Sequence, residues 1–476
     1  MTPRGLASPV LGLLACACAV GPNFERPPAP SAAGYAMQGD DPAAAAIRLT
    51  PSASLPANWW SSFNNADLDA LVAQALANSP TLAEADANLR VAQADAAATR
   101  GGQLPQINGA ASAVRERINT QAFGFTGFPS PTIKLYSVGA AVSFDLDIFG
   151  GRRRAVERDE AHAAAEQARV DAAYLTLSGN VVREAVLIAG LRAKVAAQDE
   201  IVAGDHSILD MVGRAIQAGG QPSAAADTVQ AQLAEDESAG PALRQQLTEA
   251  RHRLALLVGR APADWSAPDL DLAGFTPPAE IPVSVPSELV RRRPDILAAE
   301  ADLHAATANI GVQTASLYPN LAINPSLTQS AIDPSDIFKS ASAGWSIGPS
   351  LTAPLFHGGA LHAQVRAANA EQRAKLAIYQ QTVLVAFVQV ADAIEAVGND
   401  QQSVDIQARA VAAADANVRN TRLAYENGAA ALLTLVDAQR QANRARLAAV
   451  DARVALYQDI AALYVATAAD WRKPAQ

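Results

Sequence analysis

The chain has 476 residues and a formal net charge of −10, and half of its residues are nominally apolar although aromatic residues make up only 5%. Because much of the apolar share is alanine, large side chains are too few for an ordinary enzyme core, whereas closely packed long helices suit this composition. The acidic balance and the lack of a dense basic block argue against nucleic-acid binding. After the start no run of 18 apolar residues occurs, so we expect no transmembrane helix.

The N-terminal region, residues 1–18, resembles a bacterial lipoprotein signal. Arg4 gives a minimal basic region, an apolar stretch follows, and small residues precede each of the only two cysteines, Cys16 and Cys18. Acylation requires a cysteine directly after the cleavage site. Cys16 has the better lipobox, with Leu13 three positions before it, and Cys18 is the other candidate. A plain cleaved signal with incidental cysteines is the alternative.

Two stretches of the chain begin and end in the same way. A helical stretch opens at Pro80 and runs to Pro105, and another opens at Pro294 and runs to Pro319. A proline in the first turn and a proline after the last turn are typical of helix ends. The sequence therefore predicts two copies of one unit.

Two strand-like segments follow each of these helices. From Tyr136 to Ile148 apolar and polar residues alternate strictly, which predicts a strand with one lipid-compatible face and one wet face. The corresponding strand of the second half runs from Trp345 to Leu355. Weaker patterns place the remaining strands at about Gln106 to Arg115 and around Leu321 to Leu327.

Each strand pair is followed by a very long helical tract without proline. A helix from about Gly151 to Gly219 would span roughly 100 Å. Gly204 and Gly213 leave open whether this tract is one helix or two stacked helices. Gly219-Gly220 and Gly428 mark the turns at which we expect each tract to fold back as a hairpin.

Four strands of this length cross a bilayer when they are tilted. They cannot close a barrel, however, and an open sheet in lipid leaves unpaired edge amides that cost several kcal/mol each. The strands must therefore pair with copies of the same chain. Three copies give about twelve strands and a ring wide enough for an aqueous lumen, so we expect a homotrimer.

Several motifs together make the chain resemble the TolC-like outer membrane factors, and within them the lipoprotein branch that serves resistance-nodulation-division pumps. The resemblance covers essentially the whole mature chain and slightly favours Cys18 as the lipid attachment residue. The motifs are Cys18-Ala-Val-Gly-Pro, Trp59-Trp60 before Phe63, Leu289-Val-Arg-Arg-Arg-Pro-Asp-Ile296, and Tyr425-x-x-Gly428 before Asp437-Ala-Gln-Arg440.

The resemblance implies an α+β membrane channel-tunnel with two internal repeats. In it a trimeric twelve-stranded outer-membrane barrel continues into a periplasmic helical barrel. It implies an outer-membrane location with a lipid anchor, and partnership with a periplasmic adaptor and an inner-membrane resistance-nodulation-division pump. The duct itself is then a passive channel for small molecules, namely drugs, amphiphiles or metal ions.

The resemblance also implies that the adaptor contacts the hairpin tips at Gly219, Gly220 and Gly428, and it implies a periplasmic gate near the second turn. Tyr425, Leu433 and Asp437 match a tyrosine link, an apolar constriction and an acidic ring. Rings of carboxylates attract cations, and apolar constrictions gate by dewetting. Asp227 is the roughly equivalent acid of the first repeat. Some family members carry an arginine and a second aspartate where this chain has Ala430 and Thr434, so Arg440 is expected to replace the missing salt bridge in part.

These features predict four regions along the chain. Residues 1–18 form the signal region, 19–66 an N-terminal periplasmic strap or equatorial segment, 67–285 the first repeat and 286–476 the second. A duct for polypeptide (type I) secretion has the same architecture and remains open as an alternative. A lipid-anchored periplasmic coiled-coil scaffold without a barrel is the alternative of a different class. We find no catalytic, phosphate-binding or metal-binding motif, so we expect neither an enzyme nor a cofactor.

Overall fold

The computed structural model describes residues 19–28, 34–35, 37, 48–51, 58–124, 127, 129–283 and 285–467. The chain divides into two compact units. The first unit comprises residues 1–27, 88–166 and 298–379, and the second comprises 28–87, 167–297 and 380–476. Both repeats therefore contribute to both units.

In the described part of the chain the α-helices occur in two sets of four. They are α1 (Ala66–Asn78), α2 (Pro80–Gly101), α3 (Gly151–Gln217), α4 (Ala224–Leu257), α5 (Pro286–Arg292), α6 (Pro294–Ala315), α7 (Ala360–Glu426) and α8 (Leu432–Ala466). The strands are β1 (Arg48–Pro51), β2 (Gln106–Arg117), β3 (Thr132–Asp145), β4 (Glu280–Val283), β5 (Asn320–Ile323), β6 (Ser326–Ala331), β7 (Ala343–Ser346) and β8 (Pro349–Thr352).

The predicted duplication is confirmed by element lengths. Helices α2 and α6 both begin at the expected proline and both have 22 residues. Helices α3 and α7 both have 67 residues, and their return helices have 34 and 35. The two-helix alternative for the first tract is wrong, because α3 continues through Gly204 and Gly213. Each of these glycines costs a helix interior about 1 kcal/mol relative to alanine, which does not break a helix of this length.

The first unit contains an antiparallel ribbon. Strand β2 pairs with β3 along its whole length, from Gln106 opposite Ser143 to Arg117 opposite Thr132. The other side of β3 pairs with β5 and β6, which in turn pair with β8 and β7. Within the described ranges β2 and the β7–β8 strand therefore form two edges, each with a partner on one side only.

The alternating file predicted from Tyr136 to Ile148 shares one face of this ribbon with apolar residues of its neighbours. Ala140 lies opposite Leu327, which lies opposite Trp345. Cross-strand partners project on the same side of a sheet, so these side chains form one apolar row. Leu327 and Trp345 are 53% and 76% exposed in the protomer, so this apolar face is uncovered.

The two strands predicted for the second half are each interrupted, which corrects the expectation of two continuous strands. The break between β5 and β6 falls at Asn324-Pro325, and the break between β7 and β8 falls opposite it at Ile347-Gly348. Proline has no amide hydrogen to donate to a ladder and is confined to edges or irregularities. The carbonyl of Pro325 still accepts from the Val142 amide at 2.8 Å, which carries the sheet across the interruption.

The second unit has an aromatic core around a short 3₁₀ helix, Trp59–Phe63. Trp59 stacks on Tyr464 with a centroid distance of 5.2 Å, and Tyr457 donates its hydroxyl to the carbonyl of Phe275 at 3.1 Å. Helices α3 and α8 approach closely at Gly179, where an added Cβ would lie 2.5 Å from Val465 Cγ2. Only a residue without a side chain permits this spacing. The parallel pair of β1 and β4 lies in the same unit.

One helix has the length and composition of a membrane-crossing segment, which qualifies the expectation of none. Among the described helices α7 alone contains an 18-residue window of that kind, with a mean hydropathy of 1.3 and one third of the window buried. Val383, Ala386 and Val390 of α7 are buried against the rest of the protein. Core helices pass the same test, so one such helix is weak evidence for a span.

Candidate gate at the hairpin turns

Both long helices end in the same turn. The amide of Gly220 bonds the carbonyl of Ala215, and the amide of Gly219 bonds the carbonyl of Ile216. Ala429 and Gly428 make the equivalent bonds at the end of α7. This pair of bonds defines a Schellman motif, in which the residue after the cap is left-handed. Gly219 and Gly428 have φ of 73° and 74°, so the predicted turn glycines lie where the conformation requires them.

The first turns of α8 place the predicted gate residues on one exposed face. Leu433 is 64% exposed and Asp437 is also exposed. Residues four apart lie above one another on a helix, so the leucine and the carboxylate share this face. The opposite face is buried through Leu435 and Ala438. The adjacent Val436 packs with Ile208, Val212 and Val229 of the first hairpin. The packing therefore fixes the direction in which Leu433 and Asp437 point.

Two other predicted gate residues lack a partner among the residues that the structure describes. The hydroxyl of Tyr425 is buried and lacks a hydrogen bond among the described residues. Asp227 lies in the first turn of α4, is exposed and makes no ion pair with any residue that the structure describes. The structure does not bring Asp227 together with Asp437 in one network. A buried hydroxyl without a partner is costly, so Tyr425 has an unmet requirement for an acceptor.

Arg440 does have a partner, and sequence reasoning missed it. The Nη2 of Arg440 lies 3.2 Å from Oε2 of Glu235, which joins the return helix of the second hairpin to that of the first. The side chains are 40% and 68% exposed, so the pair itself contributes at most about 1 kcal/mol. Glu235 is one of several acids on α4, and its spacing in the sequence gives no signal that distinguishes it.

The second site is in the first unit, where residues 19–26 lie against α3 and α6. We call this segment the strap. Arg154 is 5% exposed and donates to the strap from Nε to the carbonyl of Val20 at 3.3 Å and from Nη2 to Asn23 Oδ1 at 2.7 Å. Gly21 and Gly311 meet backbone to backbone, since a Cβ on Gly21 would lie 2.5 Å from the Gly311 Cα.

A chain of charged groups holds the rest of the strap. Glu157 accepts from Arg154 Nη1 at 2.7 Å and contacts His304 Nε2 at 3.0 Å, and the His304 ring stacks on Phe24. Arg26 pairs with the buried Glu300 at 2.7 Å. Burial alone would raise the pKa of Glu157, but the bonds from Arg154 and His304 outweigh it and hold that pKa below its ordinary value. Cys16 and Cys18 lie outside the described residues.

The Arg-Arg-Arg-Pro motif also acquires a structural role. Arg293 is 8% exposed and lies between α5 and α6, where it bonds the backbone carbonyls of Ala386 and Ala466 and the side chains of Asp295 and Gln389. Arg291 is exposed. Of the arginines in the motif, Arg293 therefore ties three helices of the second unit together. In the described part of the chain no group of three or more His, Cys, Asp or Glu is arranged to hold a metal ion.

A ribbon with an uncovered apolar face and two long helical hairpins with matching turns define the class of outer-membrane channel proteins. The family model described as outer membrane efflux protein matches the chain twice, at residues 71–260 and 285–469. The chain belongs to this family and is the outer-membrane channel component of an efflux system. It lies in the outer membrane, and proteins of this family are channels.

Individual relatives agree with this assignment. The fusaric acid resistance protein FusA of Burkholderia cepacia is 33% identical over 338 residues, which cover 70% of this chain and 63% of that protein. The pyoverdine export outer membrane protein OpmQ of Pseudomonas putida is 30% identical and each chain is covered to 94%. The solved outer-membrane channel OprN superposes with a TM-score of 0.87 at 30% identity, covering 96% of this chain and all of that one.

Proposed function

We propose that the protein is a homotrimeric passive duct that receives small molecules from an inner-membrane resistance-nodulation-division pump through a periplasmic adaptor. The observation that carries the proposal is the ribbon with two bare edges, β2 on one side and β7–β8 on the other. Every residue of these three strands is exposed in the protomer. In lipid such edges require pairing, and the same surface on neighbouring copies supplies it.

Three copies are the number that fits. Four strand positions per chain give a ring of about twelve, which is wide enough for a water-filled lumen, whereas two copies give about eight, which side chains fill. Residues 1–18 are then the signal region and 19–66 the strap and equatorial segment. The two repeats, 67–285 and 286–476, supply equal shares of the ring.

The gate of this duct is proposed at the start of α8. Threefold symmetry would turn Asp437 into a ring of three carboxylates and Leu433 into an apolar constriction, and both side chains point away from their own chain. Tyr425 would find its missing acceptor on a neighbouring copy. Arg440 joins α8 to α4 within the protomer through its ion pair with Glu235. The turns at Gly219, Gly220 and Gly428 are the proposed contact with the adaptor.

Cys18 is the proposed lipid attachment residue. Its neighbour Ala19 packs against Gly150, and the Val20 amide donates to the carbonyl of Phe149 at 3.0 Å, directly after strand β3. A lipid on residue 18 would therefore lie at the end of a membrane strand. Acylation of Cys16 would add two further residues to the tether. Palmitate labelling of Cys16→Ser and Cys18→Ser variants decides between the two thiols.

Small molecules are favoured over polypeptides as cargo. The relatives are described by resistance to fusaric acid and by export of pyoverdine. These names concern those proteins, and the same chemical class is proposed here, with metal ions as a further possibility within small-molecule efflux. A polypeptide secretion duct stays the second candidate because its architecture is the same.

The decisive experiment is the oligomeric state and conductance of the purified full-length protein. We expect three copies per particle by native mass spectrometry, and ion-conducting channels in planar bilayers. Replacing the apolar row residues Leu327 and Trp345 with glutamate should prevent membrane insertion while leaving helix content unchanged. A monomeric particle that conducts no ions, or one that fractionates with the inner membrane, would refute the duct and favour the coiled-coil scaffold.

A further inference from the structure

Each helical hairpin of the second unit contains a pair of aspartates whose carboxyl groups face each other. In the first hairpin the pair is Asp205 of α3 and Asp236 of α4, and in the second it is Asp400 of α7 and Asp459 of α8. Two ionised carboxylates have only acceptor atoms, so a hydrogen bond between them requires one proton. The gate and strap described above use none of these four residues.

The surroundings of the first pair are organised to keep that proton. Asp205 is 3% exposed, and its Oδ2 has no hydrogen-bond partner among the described residues. The other carboxyl is held in place, because Gln232 donates to Asp236 Oδ2 at 2.7 Å and Gln198 donates to the Asp236 backbone carbonyl at 2.7 Å. An apolar cluster of Ile208, Val212 and Val229 follows on the same two helices.

The remaining charged groups near the first pair are already paired. On α3, His206 lies 3.8 Å from Glu237 of α4, and on α4 the neighbouring Glu235 is bound by Arg440 of α8. Gln439 of α8 is uncharged and reaches Gly204. On the three helices that meet here no cation is therefore placed to neutralise a second negative charge on the pair.

We propose that the Asp205–Asp236 pair is a proton-dependent clasp that holds the first hairpin closed beside the Glu235–Arg440 ion pair and releases it at alkaline pH. With one proton present, the two carboxyls join α3 to α4. Without it, two negative charges face each other, one of them on the almost entirely buried Asp205, and they repel each other. Asp236 adjoins Glu235 in the chain, so separation of α3 from α4 also strains the bond from Glu235 to Arg440.

The sign of the pH effect follows from burial. Burial and the facing carboxyl raise the pKa of Asp205 to about 7, well above the ordinary aspartate value. A carboxyl with a raised folded-state pKa stabilises the fold fully at acid pH, and this contribution is lost as pH rises through about 7.

The second pair, where burial and Asp459 raise the pKa of Asp400 to about 6, adjoins a cavity of about 440 Å³ lined by Asp459, Arg183 and Asp392. Water and a guanidinium are thus close to the second pair, so the first is the stronger clasp.

The test is hydrogen–deuterium exchange of residues 200–240 in the intact wild-type protein at pH 5.5 and pH 8.5, corrected for the intrinsic pH dependence of exchange. We expect protection to fall at least about tenfold at the higher pH, since one pKa unit corresponds to a factor of ten. Asp205→Asn retains a hydrogen-bond donor without the charge, so its protection should not depend on pH. Asp210→Asn, an exposed position on the same helix, should behave as the wild type.

Two outcomes would overturn the clasp: wild-type protection that does not change with pH, or an Asp205→Asn profile that matches the wild type. If Asp205→Asn does not fold, Asp236→Asn replaces it with the same expectation. Channel opening in planar bilayers, measured over the same pH range, is the second readout. The exchange data test the clasp alone, whereas the conductance depends also on the proposed duct. Failure of the clasp is therefore distinguishable from failure of the proposed duct.

Discussion

The guanidinium of Arg293 donates from Nη1 to the backbone carbonyl of Ala466 over 3.1 Å. Ala466 is the last residue of α8, where backbone carbonyls have no partner within the helix and attract cations. The arginine thus caps one helix from the junction between two others, and it does so from a buried position.

Replacing Arg293 with leucine should lower the free energy of unfolding by roughly 2–4 kcal/mol, because two buried carbonyls and Asp295 lose their donor. Arg293→Lys keeps the charge but cannot reach several acceptors at once, so its free energy of unfolding should fall between that of the wild type and that of Arg293→Leu. The thermal unfolding midpoint of the detergent-solubilised protein measures the effect. Arg291→Leu, at an exposed position, is the control and should change little.

Neutralising the proposed acidic ring should change conduction and leave stability unaltered. Asp437→Ala is expected to raise single-channel conductance in planar bilayers and to weaken block by divalent cations, because three carboxylates that attract cations are removed. Asp86→Ala, which removes an exposed aspartate from α2, controls for the loss of charge in general. Unchanged conductance and block in Asp437→Ala would remove this residue from the gate.

A charge exchange tests the Glu235–Arg440 ion pair between the return helices α4 and α8. Arg440→Glu replaces the ion pair with two negative charges on facing helices, so we expect more frequent channel opening. Glu235→Arg should act in the same direction, and the double variant should restore closure. The coupling is expected to be about 0.5–1 kcal/mol, as for other exposed pairs. Additive effects in the double variant would show that the pair does not act in gating.

The strap should detach when its arginine is lost. Arg154→Leu removes donors to Val20, Asn23 and Glu157, so protease sensitivity of residues 19–26 should rise several-fold. Acid should have a similar effect on the wild type. The pKa of Glu157 is lowered in the folded protein, so its contribution is complete above the ordinary pKa and is lost as pH falls below it. Arg90→Leu, at an exposed position of α2, should leave the strap protected.

The two glycines near the end of α3 should respond to alanine in opposite ways. Gly219 has a positive φ, so Gly219→Ala should destabilise the first turn by about 1 kcal/mol. Gly213 lies inside the helix with no atom within 4 Å of an added Cβ, so Gly213→Ala should stabilise by up to about 1 kcal/mol. Unfolding midpoints of both variants provide the comparison. Equal signs would contradict the Schellman assignment.

The sequence was sufficient to predict features that repeat along the chain. Prolines at 80 and 294, the alternation after Tyr136 and the glycine pairs act locally, and local rules determine a helix start, a strand face or a turn. It was insufficient where an outcome depends on residues far apart. The interruption at Pro325 becomes evident only beside Gly348, and the continuity of α3 through Gly204 becomes evident only in the structure.

The candidate sites show the same division. Leu433 and Asp437 are predicted from the motif, and the structure places both side chains on an exposed face of α8. Glu235, Arg154 and Asp205 were not predicted. Each is one polar residue among many on a helix whose hydrophobic pattern is weak, and its role arises from a partner more than 30 positions away.

The bare edges of the ribbon also bear on how the channel is made. A single chain that entered the bilayer first would leave the outer edges of β2 and β8 without hydrogen-bond partners in a solvent that offers none. In the proposed homotrimer the chains must therefore meet before or during entry, and the rate of insertion should depend steeply on protein concentration. The number of assembled channels in a cell then depends on the supply of protomers and on the time that each protomer spends unassembled.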